Sequence, residues 1–556
     1  MNREEKINST IKSISDVTII NPFVTLKNDV IKGLISIFVE ETGESIEFDV
    51  TIDNSYPFKY HNSESIKFSN KKLLKYKHIM QDGNICIHSP HSVFLEEKLK
   101  YDIEAVKLWI RRYYINDTIE SHYEHLIVSP EKIEDRYYSF FFNIPENPFN
   151  KNEYGYMEYS EISILPYHQE LISNNIIQSL RSKTTNKIID VEWNPLLKGH
   201  YPIKFGLFVF IKDFPSNNQR WVFEKWGEFE TLLPQQFLDF LYNFAEYNKK
   251  KDKNFIFPLL MGYDIPNKET HWEVAMLELR TLPTKGEKIN KLWYTKLIED
   301  AKVNWAITKN CSPKYFFGRG TLCEALVQSK ILVIGIGAVG SILAKTLVRS
   351  GCTELDVIDF DLKEPENVCR SEYPFITGIT NKVDDLITNL LTISPFLKTK
   401  NSYRFSELFE LFLKTNLINY ELKGEIEKYL CCYDIIIDCT ADNDLLYIFS
   451  QLDISSEIFN ISISNYAKQL VCAVENNRYD FVLKQFQRLS SNLKEEDLYN
   501  PTGCWSPTFK ASYNDINVLV QFAIKHINIR KKNGQELRNF ILDTKEDDFG
   551  IILKEF

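Results

Sequence analysis

The hydrophobic pattern changes character twice along the chain. Up to about residue 130 the apolar runs are short and mixed in kind. A polar N-terminal stretch predicts a short helix. LISIFVE and SIEFDVTI then read as two strands joined by a turn around Glu41–Glu44. YPFKYHNSESIKF is a proline-marked crossing into another short strand, and an irregular stretch holds DGNIC. DIEAVKLWIRRYYI returns to an apolar spacing near 3.6 and predicts an amphipathic helix. Residues 1–130 therefore read as a small α+β unit. Residues 131–315 carry aromatic strand-like runs (YYSFFFNIP, FGLFVFIKDF, RWVFEKW) and a helical segment, QQFLDFLYNFAEY, with no catalytic pattern. They predict an α+β linker or scaffold domain. From 316 to 556, near-continuous apolar runs end in glycine or acid (ILVIGIG, ELDVIDFD, YDIIIDCTA) and alternate with helical stretches. That is the signature of buried parallel strands in a Rossmann-like α/β domain covered on both faces. The charged tail after about Lys531 predicts loose order.

At 556 residues the chain exceeds what one core can hold, which fits a multidomain reading. A hydrophobic content of 44% and an aromatic content of 13% predict folded material throughout, and the net charge of −10 gives no reason to expect nucleic acid as a partner. No apolar run approaches the roughly 20 residues that span a bilayer, and the polar N-terminus lacks a signal core. The expectation is a cytoplasmic protein with no membrane partner. Ten cysteines without a C-x-x-C pair point to a reducing compartment and away from a disulfide framework or a zinc ribbon.

The densest chemistry lies in Ile331–Arg370. Gly335, Gly337 and Gly340 form G-x-G-x-x-G between a strand and a helix, where backbone N–H groups and a helix N-terminus can approach phosphate. Asp359 ends the next strand at the distance where an acid can take ribose hydroxyls. Taken alone, these features fit a NAD-dependent oxidoreductase equally well. The residues beyond them favour ATP. Asp361, Asn367 and Arg370 complete D-x-D-x5-N-x-x-R, Lys382 comes next in GITNK, and DCTADND brings Asp438 and Asp442. Cations and polar groups around phosphates suit a triphosphate, and a late acid suits Mg²⁺.

This block resembles the adenylation domain of ubiquitin-activating enzymes and their bacterial relatives in the ThiF/MoeB superfamily. The residues matching that family's pattern are Gly335, Gly337, Gly340, Asp359, Asp361, Asn367, Arg370, Lys382 and Asp442. The resemblance implies that they bind ATP, with Asp442 favoured over Asp438 as the Mg²⁺ ligand. Two departures are present: Ser371 replaces the family's glutamine, and Ala441 is inserted in the D-x-T-D-N element. Arg319 sits where the family often carries an arginine before the first strand, and a solvated arginine is an equal reading.

Two cysteines stand in suggestive settings. Cys504 lies between glycine and proline in NPTGCWSPTF, a loop where a thiol can be exposed. Thioester-forming members of the superfamily place their cysteine in a loop after the nucleotide core. Cys86 lies in DGNICIHSP, and the strands before it, with Y-P-F, resemble ubiquitin-conjugating enzymes, whose active cysteine follows N-G-x-I. His78 is followed by Ile79 and Met80 where that family has Pro and Asn, so oxyanion support must come from elsewhere; His78 and His88 are candidate donors.

The whole order is similar to the conjugating–activating fusion proteins associated with CD-NTases in bacterial CBASS antiphage operons. The resemblance implies a ubiquitin-conjugating-like domain (1–130), a linker domain (131–315) and an adenylation domain (316–556). It further implies that Cys504 and then Cys86 carry an activated protein C-terminal tail, of a CD-NTase or a ubiquitin-like protein, to a lysine-bearing target. A homodimer and a JAB-type isopeptidase in the same system are the implied partners. Two rival functions remain: a sulfur-carrier adenylyltransferase of cofactor biosynthesis, and a non-catalytic scaffold that only binds partners.

Overall fold

The computed structural model describes residues 2–59, 64–80, 82–118, 130–212, 225–252, 255–265, 269–279, 284–289, 292–297, 299–400, 420–490, 510–544 and 550–556. It divides into two compact units, residues 1–190 with 203–309, and residues 191–202 with 310–556.

The first unit begins with the helix Arg3–Lys12. A reciprocal cap starts it, the Asn2 side chain accepting from Glu5 N–H and the Glu5 side chain accepting from Asn2 N–H. A four-stranded antiparallel meander comes next: Val17–Thr25, Ile31–Val39, Glu44–Ile52 and Ile66–Ser69, paired in chain order. The helix Leu95–Trp109 continues as one π-helical turn, Ile110–Ile115. Ile7, Ile35, Phe48, Leu99, Ile103 and Val106 form one buried core between these helices and the sheet. The strands and helix read from the sequence are present. The same unit contains a nine-stranded mixed sheet drawn from residues 136–310, and the helix Gln235–Lys251 packs Phe237, Leu238 and Leu241 into its core.

The second unit is built on a seven-stranded sheet. Its strand order is Leu355–Ile358, Ile331–Ile334, Ile435–Asp438, Glu457–Ile463, Gln469–Ala473, Phe540–Thr544, Ile551–Glu555. The first four run parallel and the last three add on antiparallel. Successive strand residues face opposite sides. Ile331 and Val333 join the core under the helices Ala338–Arg349 and Tyr513–Lys532, while Leu332 and Ile334 pack with Ile436, Leu445 and Phe449. Both faces are covered, as the unbroken apolar runs require. The segment 191–202 belongs to this unit. Asn194 Nδ2 donates to Leu391 O at 2.7 Å and Ser394 O at 2.8 Å.

The tail is a correction to the sequence reading. Phe540–Thr544 and Ile551–Glu555 are paired strands, with Phe540 and Leu542 fully buried. Two short runs, FILDT and IILKE, supply just enough alternation for a sheet edge, and the charged residues around them hide the pattern.

Candidate functional site

The first strand of the second unit, Ile331–Ile334, lies between the second strand in the chain, Leu355–Ile358, and the third, Ile435–Asp438. Chain direction thus splits at its carboxyl end, the place where open α/β sheets form a binding crevice. The glycine turn, Asp359 and the Cys439–Asp442 loop leave the carboxyl ends of these three strands.

The three glycines have different jobs. Gly335 has φ +76°, and a Cβ there would meet Thr440 N at 2.7 Å. A Cβ on Gly340 would meet Gly335 O at 2.0 Å. Both are required by the packing of the turn itself. A Cβ on Gly337 would meet nothing within 4 Å. Gly337 is also the N-cap of the helix Ala338–Arg349, with no side-chain cap bond, so the first N–H groups of the helix have open space before them.

Asp359 is tied into this turn. Its Oδ2 accepts from Ile336 N–H and its Oδ1 from Asp361 N–H, both at 2.9 Å. Burial pushes its carboxyl above the ordinary range, while the Lys382 charge and these N–H groups pull back. The ladder Leu362↔Asn381 and Lys363↔Thr380 brings Lys382 back to Asp361, where Nζ and Oδ2 form an ion pair at 2.8 Å. Asn367 Oδ1 accepts from Glu364 N–H at 2.9 Å within the turn Pro365–Arg370, which holds Arg370. Ser371, standing where the family has Gln, donates its hydroxyl to Asn367 O.

The two late acids are sharply distinguished. Asp438 is fully buried and its two oxygens accept from Thr440 N–H (3.0 Å), Thr440 Oγ1 (2.7 Å) and Asn460 Nδ2 (2.8 Å). Burial drives its carboxyl upward. Asp442 is exposed and caps the helix Asn443–Gln451, its Oδ1 accepting from Asp444 N–H at 2.8 Å and Leu445 N–H at 3.2 Å. The inserted Ala441 takes up the extra length in a left-handed conformation, φ +57°. Asn460 escaped the sequence reading. Its signal was a lone amide inside the apolar run EIFNISI, in register with Asp438. Among the described residues no group of three or more His, Cys, Asp or Glu could hold a metal. An exposed carboxylate such as Asp442 is the kind of donor Mg²⁺ takes, one or two carboxylates with water and phosphate completing the shell.

Cys86 lies in the other unit. Gly83 has φ +85° and packs where a Cβ would meet Lys71 N at 2.9 Å. From there the segment runs extended, Ile85 N–H donating to Phe68 O at 2.9 Å and Cys86 N–H to His78 O at 2.8 Å. Ile85 and Ile87 are buried, so Cys86 between them is turned out and exposed. The His78 backbone is thus beside the thiol-bearing residue, with its ring packed on Tyr113 at 4.6 Å. His88 is exposed. Behind the segment lies a buried polar network that no sequence motif signalled. Ser89 Oγ and Lys98 Nζ both reach Asp102 Oδ1, at 2.5 and 2.6 Å, and Tyr56 OH donates to Asp102 Oδ2 at 2.8 Å.

Arg319 is exposed. Cys504 lies outside the described residues. No helix among the described residues is long and apolar enough to cross a membrane.

A strand–glycine turn–helix unit at a switch point, with an acid-rich third strand end beside it, defines a nucleotide-binding α/β domain. Residues 313–452 match the model of the ThiF family, so the chain contains a ThiF family domain, as the resemblance read from its motifs implied. Among curated proteins, the chain is 25% identical over 291 residues to the ATP-dependent ubiquitin transferase-like protein Cap2 of Enterobacter hormaechei subsp. hoffmannii, covering 48% of this chain and 46% of that protein. It is 29% identical over 116 residues to ubiquitin-like modifier-activating enzyme 5 of Bombyx mori, covering 20% of this chain and 29% of that one. The match thus spans less than half the length of either relative. Among solved structures, E. coli MccB with succinimide aligns over 41% of this chain and 64% of its own at 15% identity, with a TM-score of 0.29.

Proposed function

We propose that this chain uses ATP to adenylate the C-terminal carboxylate of a partner protein and then carries the acyl group on sulfur. The observation that carries the reading is the convergence at three adjacent strand ends of an open glycine turn, the Asp361–Lys382 pair and an exposed Asp442. The match to a protein named as ATP-dependent and ubiquitin transferase-like supports it.

In this reading Gly335, Gly337, Gly340, Asp359, Asp361, Asn367, Arg370 and Lys382 hold ATP. Asp442 is the residue that would hold Mg²⁺, which when bound neutralises phosphate charge; the buried, fully occupied Asp438 orders the loop. The carboxylate attacks the α-phosphorus, forming acyl-AMP and releasing pyrophosphate. The Cys504 thiolate displaces AMP to give a thioester. Cys86 takes the acyl group by transthioesterification, and a lysine amine of the target displaces the Cys86 thiolate to leave an amide. The exposure of Cys86 supports this last role. Carrying both thiols on one chain raises the effective concentration of the second, to about the millimolar range for a flexible connection. The tail belongs to a CD-NTase, in an antiphage setting that pairs a homodimer of this chain with a JAB-type isopeptidase. The three-domain division at residues 130 and 315 belongs to the same proposal.

Pyrophosphate exchange dependent on a candidate C-terminal peptide tests the first half. Exchange that survives both Arg370→Ala and Asp442→Ala defeats the site. The relay is tested by thiol-reducible adducts. An adduct that persists in Cys504→Ala and disappears in Cys86→Ala reverses the order of the two thiols.

A further inference from the structure

The mixed sheet of the first unit holds a half-open cavity of about 900 Å³ that the activation chemistry leaves without a role. That is near the upper end of the range of small-molecule sites. Its floor is aromatic: Tyr138, Tyr156 and Tyr159 from the sheet, with Phe244 and Phe255 beside them. Phe205 and Tyr247, at 56% and 58% exposure, bring two more rings to the same cavity.

A backbone irregularity lies beside the cavity. The strand Glu153–Tyr167 pairs regularly with Glu170–Ser182 until the register breaks between Glu158 and Tyr159. A strict alternation would send consecutive residues to opposite faces. Gln178 is the extra residue of this bulge, and Glu158 and Tyr159 beside it line the cavity together with Phe205 and Lys204, their partners in the unbroken register with Ile203–Lys212.

Three strands bring one cation each, Arg136, Arg181 and Lys204. Arg136 is paired with Asp135 at 2.9 Å, and Lys204 with Glu161 at 3.2 Å. Glu161 also accepts from Ser173 Oγ, and Glu158 from Ser179 Oγ, each at 2.7 Å. The Arg181 side chain has no hydrogen bond or ion pair among the described residues. It stands cross-strand from Tyr156, on the same face of the sheet.

Flat rings, an unengaged guanidinium and an acceptor carboxylate ask for a ligand with a planar face, an anion and an N–H edge. We propose that this cavity binds a nucleoside monophosphate, its base on the aromatic rings, its phosphate at Arg181 and its exocyclic amine toward Glu158. A peptide segment, the alternative for an aromatic and arginine-rich surface, has less to recommend it. The cavity lies over interior strands of the sheet, where no free edge offers backbone pairing.

Binding here is independent of adenylation at the glycine turn, and one experiment keeps the two apart. The full chain carrying Lys382→Ala, which disables the candidate ATP site, is photolabelled with 8-azido-AMP and the labelled peptides are mapped. The expected label falls within residues 136–212 or 235–256, is displaced by excess AMP, and drops on the order of tenfold in Arg181→Glu and in Phe205→Ala. Arg181 and Phe205 are both exposed, so the variants should melt as the parent does. Absence of label there at millimolar probe, or label unchanged by both substitutions, overturns the proposal. So does labelling of those peptides by a photoreactive tail peptide that AMP fails to displace.

Discussion

At residues 335–340 the chain withholds side chains and presents its backbone; at residues 84–87 it does the reverse. The glycine turn is kept bare by two clashes, at Gly335 and Gly340, so that the N–H groups beyond Gly337 stand open. Around Cys86 the neighbouring N–H groups are spent on Phe68 O and His78 O, and strand alternation turns one sulfur outward. The contrast arises from the chemistry each region is proposed to handle. An oxyanion of phosphate is met well by fixed amide dipoles, which need close approach. A carrier of an acyl group needs a nucleophile held on a rigid base.

Substitutions on both sides of this contrast test it. The largest effect belongs to Cys86→Ala. Its thiol-reducible adduct should vanish, while the melting free energy should move by no more than about 0.5 kcal/mol, because the residue is exposed. A buried adduct site elsewhere, found by mapping, would end the assignment. Next comes Asp102→Ala, which leaves the buried Lys98 ammonium with only Glu64 at 3.3 Å as a counter-charge and the Tyr56 hydroxyl without its acceptor, and should cost about 2–4 kcal/mol in denaturant unfolding. Adduct formation in the folded fraction then reports whether the base under Cys86 has to be rigid.

The two helix-side glycines make the sharpest pair. Gly340→Ala places a methyl on Gly335 O and should destabilise by about 1–3 kcal/mol. Gly337→Ala meets no protein atom, so it should cost only the N-cap preference for glycine over alanine, about 0.5 kcal/mol, while pyrophosphate exchange falls. Equal behaviour of the two would mean that the space before the helix serves no ligand. The smallest effect separates Asp442→Ala from Asp442→Asn. Both should lose exchange, but only the alanine also loses the helix cap, worth about 1 kcal/mol in a urea melt.

Much of the second unit was legible in the sequence because its signals are local. A glycine turn, an acid after a strand and an asparagine in a tight turn each occupy a few adjacent residues. The Asp102 network was illegible for the opposite reason. Lys98 and Asp102 stand four apart on a helix, a spacing that solvated ion pairs share. Tyr56, Glu64 and Ser89, brought from other segments, reveal that the pair faces inward. The mixed sheet between residues 136 and 310 was opaque because its pairings leap across sequence, strand Ile203–Lys212 lying between Glu153–Tyr167 and Ile256–Ile265. The C-terminal strands were missed for their brevity. Cys504 rests on its glycine- and proline-flanked setting and on resemblance, being outside the described residues.

The alternation Ile85–Cys86–Ile87 makes length the guarded property of its segment. Removing one residue between Gly83 and Cys86 would exchange inward and outward positions, sealing the sulfur into the core and pushing two isoleucines into water. Drift in homologues should therefore run through replacements at Asn84 or His88, and almost never through gaps.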